Sequence, residues 1–322
     1  MSLYTLIIVN WNSWDLLYQC LEKLEAQTFQ EFAIVAIDNA SDQPVPPELL
    51  ARFPDIMLIE NQTNDGFAKA NNQAFKMLMD TEWVILLNPD AFPEPDWLEQ
   101  LNKAKNDFPE YSMYASRLIM VSDPDKLDGD GDNYHFSGLA WRTGHGKSVN
   151  HDVTPKEIFS PCAAAAMYRT NDLLEVGGFD EDFFCYFEDV DLGFRMRLQG
   201  HKCLLVTSAI VHHVGSATTG GQRSDFSVYH GHRNLVWAYI KNMPGLLFWV
   251  FLPYHILLNI ISIVVFVWRG QGTVILRAKW DALKGVSAMW HKRKVIQSNR
   301  VATIKDIWRV MDKSLIPWNR RY

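Results

Sequence analysis

The sequence predicts an α/β protein: a mostly parallel sheet with helices on both faces, followed by a C-terminal helical region that associates with a membrane. Three observations carry this reading. Short runs of β-branched and aliphatic residues alternate with helical patterns from Leu3 to Leu87. Each run ends in a cluster of Asn, Asp or Ser, the edge at which open α/β sheets bind ligands. Residues Leu246 to Trp268 are then almost wholly apolar, and basic segments follow them.

The elements justify themselves in order. Leu3 to Val9 is β-rich, and Asn10-Trp-Asn-Ser13 ends it. Ser13 is placed to cap a helix that carries Leu16, Leu17, Cys20, Leu21 and Leu24 on one face. Phe32 to Ile37 is the second strand, closed by Asp38-Asn-Ala-Ser41. Ile56 to Ile59 is the third, before Asn61-Gln-Thr-Asn-Asp-Gly66. Phe67 to Met79 reads as a helix, and Trp83 to Leu87 as a fourth strand ending in Asn88-Pro-Asp90.

Later in the chain, Phe183-Phe-Cys-Tyr-Phe-Glu-Asp-Val-Asp191 sets three acids after an aromatic run. Leu192, Met196 and Leu198 then recur at helical spacing, so Glu188, Asp189 and Asp191 fall in a helix's first turn, where its dipole favours negative charge. A carboxylate beside aromatic rings can be tuned as a proton acceptor. An ordinary helix start is the plain alternative.

Absences narrow the field. No Gly-x-Gly-x-x-Gly or Gly-x-x-x-x-Gly-Lys follows any strand, which argues against a dinucleotide or P-loop site. The Asp, Asn and Ser found instead suit hydrogen bonds to a base and ribose, or ligation of a hard metal. The cysteines at 20, 162, 185 and 203 show no paired spacing, so no disulfide framework is expected and a reducing compartment fits. Met1 to Val9 has no basic start and too short an apolar run for a signal peptide.

Seven motifs occur in one order: Ile7-Ile-Val-Asn-Trp-Asn12, Asp38-Asn-Ala-Ser41, Asn64-Asp-Gly-Phe-Ala-Lys-Ala-Asn71, Leu86-Leu-Asn-Pro-Asp90, Val176-Gly-Gly-Phe-Asp-Glu181, Glu188-Asp-Val-Asp191 and His213-Val-Gly-Ser216. Together they resemble family 2 glycosyltransferases of the A-type fold, close to bacterial rhamnosyltransferase-like members. The resemblance covers roughly residues 3–240. It implies a catalytic domain over 1–240, a membrane-associating helical region over 241–322, and inverting transfer of a sugar from a nucleotide diphosphate donor to an acceptor hydroxyl.

The resemblance also implies roles. Asp90 matches the second acid of the family's Asp-x-Asp motif, with Asn88 where the first acid stands. His213 matches a histidine that completes the shell of Mg²⁺ or Mn²⁺. Of the adjacent His212 and His213, only one can face a site from a strand. Asp189 matches the catalytic base, and Glu188 joins it in catalysis and acceptor binding. The donor nucleotide is assigned to Val9, Asn10, Asn12, Asp38, Asn64, Gly66, Asn71, Asn88 and Asp90. Apart from the resemblance, Arg233 in Tyr229-His-Gly-His-Arg-Asn234 is a candidate to reach the diphosphate, with a helix-surface arginine as the equal alternative. The acceptor is assigned to Asp132, Trp141, Tyr186, Glu188 and Asp191. Asp128-Gly-Asp-Gly-Asp132 reads as a mobile loop over sugar and acceptor, since it lacks the later ligands of a calcium loop.

Charge completes the reading. The chain carries −6, yet residues 269–322 hold thirteen Lys and Arg against three acids, a local +10 that leaves −16 on the rest. Leu276, Trp280, Leu283 and Trp290 form one apolar stripe with Lys279, Lys284 and Lys292 off it, and Ile304, Ile307, Trp308 and Met311 repeat the pattern. Basic amphipathic helices with Trp sit at membrane interfaces. The expectation is a cytoplasmic enzyme held peripherally on the inner face of the cell membrane, with a lipid-linked glycan acceptor and no nucleic-acid partner. Helices packed on the catalytic part or on a second subunit are the alternative, and a homodimer stays open. The resemblance favours deoxythymidine-diphosphate rhamnose as donor. A galactofuranosyl or other hexosyl donor, a nucleotidyltransferase, or a non-catalytic membrane scaffold (suggested by Asn88) stay open as well.

Overall fold

The computed structural model describes residues 3–77, 81–150, 154–215 and 224–314. The first part runs β1 (Tyr4–Asn10), α1 (Trp14–Glu25), β2 (Phe32–Asp38), α2 (Pro47–Arg52), β3 (Met57–Glu60), α3 (Gly66–Phe75), β4 (Trp83–Leu87), β5 (Ala91–Pro93) and α4 (Trp97–Asp107). Next come β6 (Met113–Met120), β7 (Asp123–Gly129), β8 (Asp132–Tyr134), β9 (Ala140–Arg142), β10 (Lys156–Ile158), β11 (Ala165–Arg169), α5 (Thr170–Glu175), α6 (Glu188–Leu198) and β12 (Cys203–His213). Five helices close the described chain: α7 (Asp225–Asn242), α8 (Gly245–Trp268), α9 (Gly272–Lys284), α10 (Val286–Ser298) and α11 (Ile304–Val310).

The four strands legible in the sequence form a parallel block, β3-β2-β1-β4. The sheet then turns mixed, because β11 inserts antiparallel between β4 and β6. β12 lies parallel to β6, with β10 and β5 antiparallel to β12 and β7 antiparallel to β6. Both faces are covered. Leu6 and Ile8 of β1 pack with Leu17, Leu21 and Leu24 of α1 and Trp97 of α4. Ile7 packs on the other face with Ala70 and Phe75 of α3 and Leu192 and Met196 of α6. Alternate residues of one strand thus feed two cores. Each fully buried Leu or Ile contributes about 1.5–3 kcal/mol.

Two local expectations need correction. Ser13 stands at the N-cap of α1, but its hydroxyl donates to the Trp11 carbonyl at 2.9 Å and makes no cap bond. Helix α3 ends at Phe75, and Met79, the expected end, lies outside the described residues.

The C-terminal helices share a hydrophobic core with the part that precedes them. α7 runs through residues 240–241 and packs on α6, α9 and α10. Tyr134, Phe159 and Val190 form one cluster with Tyr239, Phe248, Ile307 and Met311. A buried ion network pins α7 there: Lys241 Nζ lies 2.5 Å from Asp180 and 2.7 Å from Asp191. Lys292 of α10 adds contacts at 2.5 Å to Asp180 and 2.7 Å to Asp182. Much of the expected basic face is therefore turned inward. Lys279 donates to the His232 carbonyl, and Arg293 to the carbonyls of Ile240 and Met243. Ile307 and Met311 are buried, so the last amphipathic repeat faces the body of the protein.

Candidate active site

A cleft of about 690 Å³ opens at the carboxyl edge of the parallel block. Its floor follows from strand pairing. After the Asn88-Pro-Asp90 turn, β5 pairs with the end of β12 so that Ala91 faces His213, and the Val214 N–H donates to the Asp90 carbonyl at 3.0 Å. Asp90 and His213 are thereby neighbours, although they are far apart in the chain. Strand alternation separates the two histidines: His212 meets Glu94 at 2.6 Å, while His213 turns into the cleft.

His213 is held in a defined orientation. Nδ1 lies 2.7 Å from Asp128 Oδ2, and since a carboxylate only accepts, Nδ1 carries the proton. Nε2 lies 3.3 Å from Asp90 Oδ1 and makes no aligned hydrogen bond among the described residues. Both side chains are almost wholly buried. Burial alone would push the Asp90 carboxyl up, but contact with His213 holds it below the ordinary value. Burial likewise opposes charge on His213, and the two carboxylates overcome this and raise its pKa. A buried imidazole nitrogen without a hydrogen-bond partner beside a carboxylate is a donor pair suited to a divalent cation, backed by a carboxylate on the far nitrogen.

The acidic start of α6 lines the same cleft through Glu188 and Asp189, and Asp189 Oδ2 accepts from the Ala163 N–H at 3.2 Å. Asp132 and Cys162 bring ligand atoms within 4.8 Å of Asp189. Burial, then the charge of Asp189, push the carboxyls of Asp132 and Glu188 well above their ordinary range. Arg142, also in the cleft, pairs with Asp128 and offsets part of this negative charge.

The aromatic run becomes one wall, formed by Phe184, Cys185, Tyr186 and Phe187. Phe184, Tyr186 and Phe187 adopt φ of 65°, 62° and 70°, a left-handed backbone costly for residues with a Cβ. One side chain of α7 holds them: Asn234 Nδ2 lies 2.9, 2.9 and 2.7 Å from the carbonyls of Phe183, Cys185 and Tyr186. Gly66 sits against this wall at φ 86°, where an added Cβ would meet the Phe184 carbonyl at 2.7 Å.

Of the residues expected at the site, Val9, Asn64, Gly66, Asn88, Asp90, Asp132, Trp141, Tyr186, Glu188, Asp189 and His213 line the cleft. Six do not, each for a physical reason. Asp38 stands one layer behind, accepting from Asn10 Nδ2 at 3.1 Å and Ser41 Oγ at 2.5 Å; its neighbour Asn39 lines the cleft instead. Asn10 is fully buried in that same bond. Asn12 is bonded to Asp42 at 3.0 Å on the outer side. Asn71 donates to the Phe67 carbonyl within its own helix at 2.9 Å. Asp191 is buried with Arg195, Lys241 and Asn242. Arg233 lies 4.3 Å over the Trp237 ring and donates to the carbonyls of Asp182 and Phe183.

The Asp-Gly run, expected as a mobile loop over sugar and acceptor, is instead held between two strands. Asp128 ends in β7 and Asp132 begins β8, and Asp130 makes a two-point pair with Arg117 at 3.0 and 2.9 Å. Asp128, Arg142, Asn39 and Asn234 are the site residues that the sequence reading missed. Only the odd density of buried-type acids in Asp128-Gly-Asp-Gly-Asp132 hinted at the first. Ser216, the last residue of the His213 motif, lies outside the described residues.

Comparisons with known proteins show the family and the fold. The family model described as glycosyl transferase family 2 matches residues 5–177. The chain is 24% identical over 236 residues to the N-acetylglucosaminyl-diphospho-decaprenol L-rhamnosyltransferase of Mycobacterium tuberculosis, covering 65% of this chain and 76% of that one. It is 29% identical over 210 residues to the rhamnosyltransferase WbbL of Escherichia coli, covering 61% and 77%. The structure is similar to that of GalNAc-T7 with UDP, GalNAc and Mn²⁺, with a TM-score of 0.60 at 14% identity over 75% of this chain. This chain spans 48% of that structure's length, and the likeness is one of fold.

Proposed function

This chain belongs to glycosyl transferase family 2, and we propose that it transfers rhamnose, with inversion, from a nucleotide diphosphate to a hydroxyl of a lipid-linked glycan. The product serves bacterial surface polysaccharide synthesis. The observation that carries this reading is the meeting of Asp90 and His213 with Asp189 across one cleft. The named activities of the mycobacterial and Escherichia coli relatives support the sugar and the kind of acceptor. Deoxythymidine diphosphate is the favoured nucleotide.

Asp90 and His213 Nε2 hold a divalent cation, Mg²⁺ or Mn²⁺, whose chemistry is to offset the charge of the leaving diphosphate. Asn88 offers a neutral oxygen beside it. Asn39, Asn64 and Val9 meet the nucleotide, with Asp38 behind them fixing the turn that presents Asn39. Asp189 takes the proton of the acceptor hydroxyl as that oxygen attacks the anomeric carbon. The wall from Phe184 to Phe187 and Trp141 shape the acceptor side. Asp132 and Glu188, held toward their protonated forms, offer O–H donors to acceptor hydroxyls without repelling Asp189. The exposed apolar helices hold the enzyme on the cytoplasmic membrane surface, where such acceptors lie.

The test is release of nucleoside diphosphate by the purified full-length chain, with Mn²⁺, a polyprenyl-diphosphate-linked sugar and a panel of nucleotide sugars. Turnover with dTDP-rhamnose, lost on chelation, is expected. Turnover with a galactofuranose or another hexose donor instead would replace the sugar but keep the mechanism. Release with no donor in the panel would overturn the reading.

A further inference from the structure

Residues 245–268 are long and apolar enough to cross a bilayer, yet their packing points elsewhere. We infer that α8 and α9 lie flat in the headgroup boundary of one leaflet of an anionic bilayer, and that α8 does not cross it. This rests on the membrane reading above and adds its geometry.

One side of α8 is committed to protein along its length. Phe248, His255, Leu258 and Ser262 are buried and trace a line down the helix. His255 bonds the Ser137 carbonyl at 2.7 Å and stacks on Tyr239 at 3.9 Å. Phe251 stacks on Trp308 at 5.1 Å, and Phe266 meets His232 at 4.7 Å. At about 1.5 Å per residue, this docked line covers roughly 27 Å, most of a hydrocarbon core. A crossing α8 would therefore drag α7 and the β8–β9 hairpin, with their ion pairs and polar backbone, into lipid.

The opposite side is bare and apolar. Leu246 is 66% exposed, Trp249 60%, Ile260 53%, Val264 55% and Trp268 91%. The bare face continues on α9 through Leu276, Trp280 and Leu283. Cations rim it: Arg277 and Lys284 are largely exposed, Lys284 lies over the Trp280 ring at 5.6 Å, and Arg269 over Phe266 at 5.3 Å. Tryptophans and snorkelling cations around an apolar strip complement an anionic lipid surface. The single acid of the pair, Asp281, is engaged by Tyr229 and Lys284. α7 links this face to the cleft, since Phe226, Ser227 and Gly231 line the cleft while Tyr229 and His232 contact α9 and α8.

The test uses the full chain with Leu246→Cys or Trp268→Cys, expressed in bacteria and probed with a membrane-impermeant maleimide. Cys20, Cys162 and Cys203 are buried but Cys185 is half-buried in the cleft, so both variants are made in a Cys185→Ser background, and that background chain serves as blank. Flat docking expects both variants to be shielded in right-side-out spheroplasts and both to react in inverted vesicles permeabilised by mild detergent. Reaction of either one in spheroplasts means that α8 crosses, which overturns the inference and leaves membrane association standing. Recovery of the unsubstituted chain in the soluble fraction, monomeric or as a dimer covering this face, overturns the membrane reading itself. A second variant, Ile260→Glu with Val264→Glu, changes side chains that touch no core. It is expected to lower binding to phosphatidylglycerol-containing vesicles by about tenfold or more at an unchanged melting temperature. Unchanged binding overturns the inference.

Discussion

Asp128 accepts a hydrogen bond from Nδ1 of His213 at 2.7 Å, and so decides which nitrogen of that ring faces Asp90. Asn in place of Asp128 keeps the size but removes the charge that supports the imidazole's basicity. Asp128→Asn is expected to weaken Mn²⁺ binding by about 10- to 100-fold, read by titration calorimetry on the folded protein. Because Arg142 also loses its partner, Arg142→Lys is the control. An equal loss there would assign the effect to packing.

Asp189→Asn is expected to cut the rate of transfer by about 100- to 10,000-fold, the range for removal of a positioned base. Donor affinity should be unchanged, since on the proposed reading Asp189 serves the acceptor hydroxyl and not the nucleotide. Equilibrium binding of nucleoside diphosphate alongside turnover separates the two. Wild-type turnover in the variant would remove Asp189 from the mechanism.

Glu188 predicts a pH effect on stability. Its carboxyl is held above the ordinary range by burial and by the charge of Asp189. The folded chain therefore binds this proton more tightly than the unfolded chain does. That contribution is present below the unfolded pKa and is lost as pH rises through the raised folded value. Glu188→Gln cannot lose it. The variant's advantage in unfolding free energy should grow as pH rises from the ordinary carboxylate range towards neutrality, read by chemical denaturation at a series of pH values. A pH-independent difference would contradict the shift.

Gly66→Ala tests the contact between the donor and acceptor sides. The position needs φ 86°, and a Cβ there meets Phe184 at 2.6–2.7 Å. The substitution is expected to cost about 1–2 kcal/mol and to raise donor and acceptor KM together, because Asn64 and Phe184 must both shift. Calorimetric melting and steady-state kinetics check it.

Asn88→Asp restores a second acid at the turn after β4. With Asn88 beside Asp90 in the cleft, the added charge is expected to tighten Mn²⁺ binding by about tenfold. Weaker binding would show that Asn88 serves the donor rather than the cation.

The legible parts of this protein were those fixed by local pattern. β1 to β4, the polar residues closing them, and the acidic start of α6 follow from short-range pattern and turn chemistry, while the choice of Asp90 and Asp189 within them rests on the resemblance. Strand alternation lets only one of the adjacent His212 and His213 face inward, and the resemblance of His213-Val-Gly-Ser216 picks His213. What was hidden depends on distant partners. Asp128 reaches His213 across 85 residues, and inside an Asp-Gly run it reads as loop. Asp191 misled by standing two residues from Asp189; on a helix that spacing turns it to another face, where Lys241 and Arg195 take it. Arg233 misled through its charge, while the uncharged Asn234 beside it does the holding. The inward turn of Lys279, Lys292 and Arg293 was equally invisible, since composition counts cations and not their partners.

The hold of Asn234 on the left-handed aromatic wall has an evolutionary corollary. The Asn234 amide gathers three carbonyls of the aromatic run, with Arg233 sharing the Phe183 carbonyl and the Ala68 N–H taking that of Phe184, and none of these groups is among those proposed for proton removal. A substitution at 234 therefore bears on the shape of the wall proposed for the acceptor and leaves Asp90, Asp189 and His213 in place. Selection can thus diversify which glycan is extended without rebuilding the enzyme that extends it.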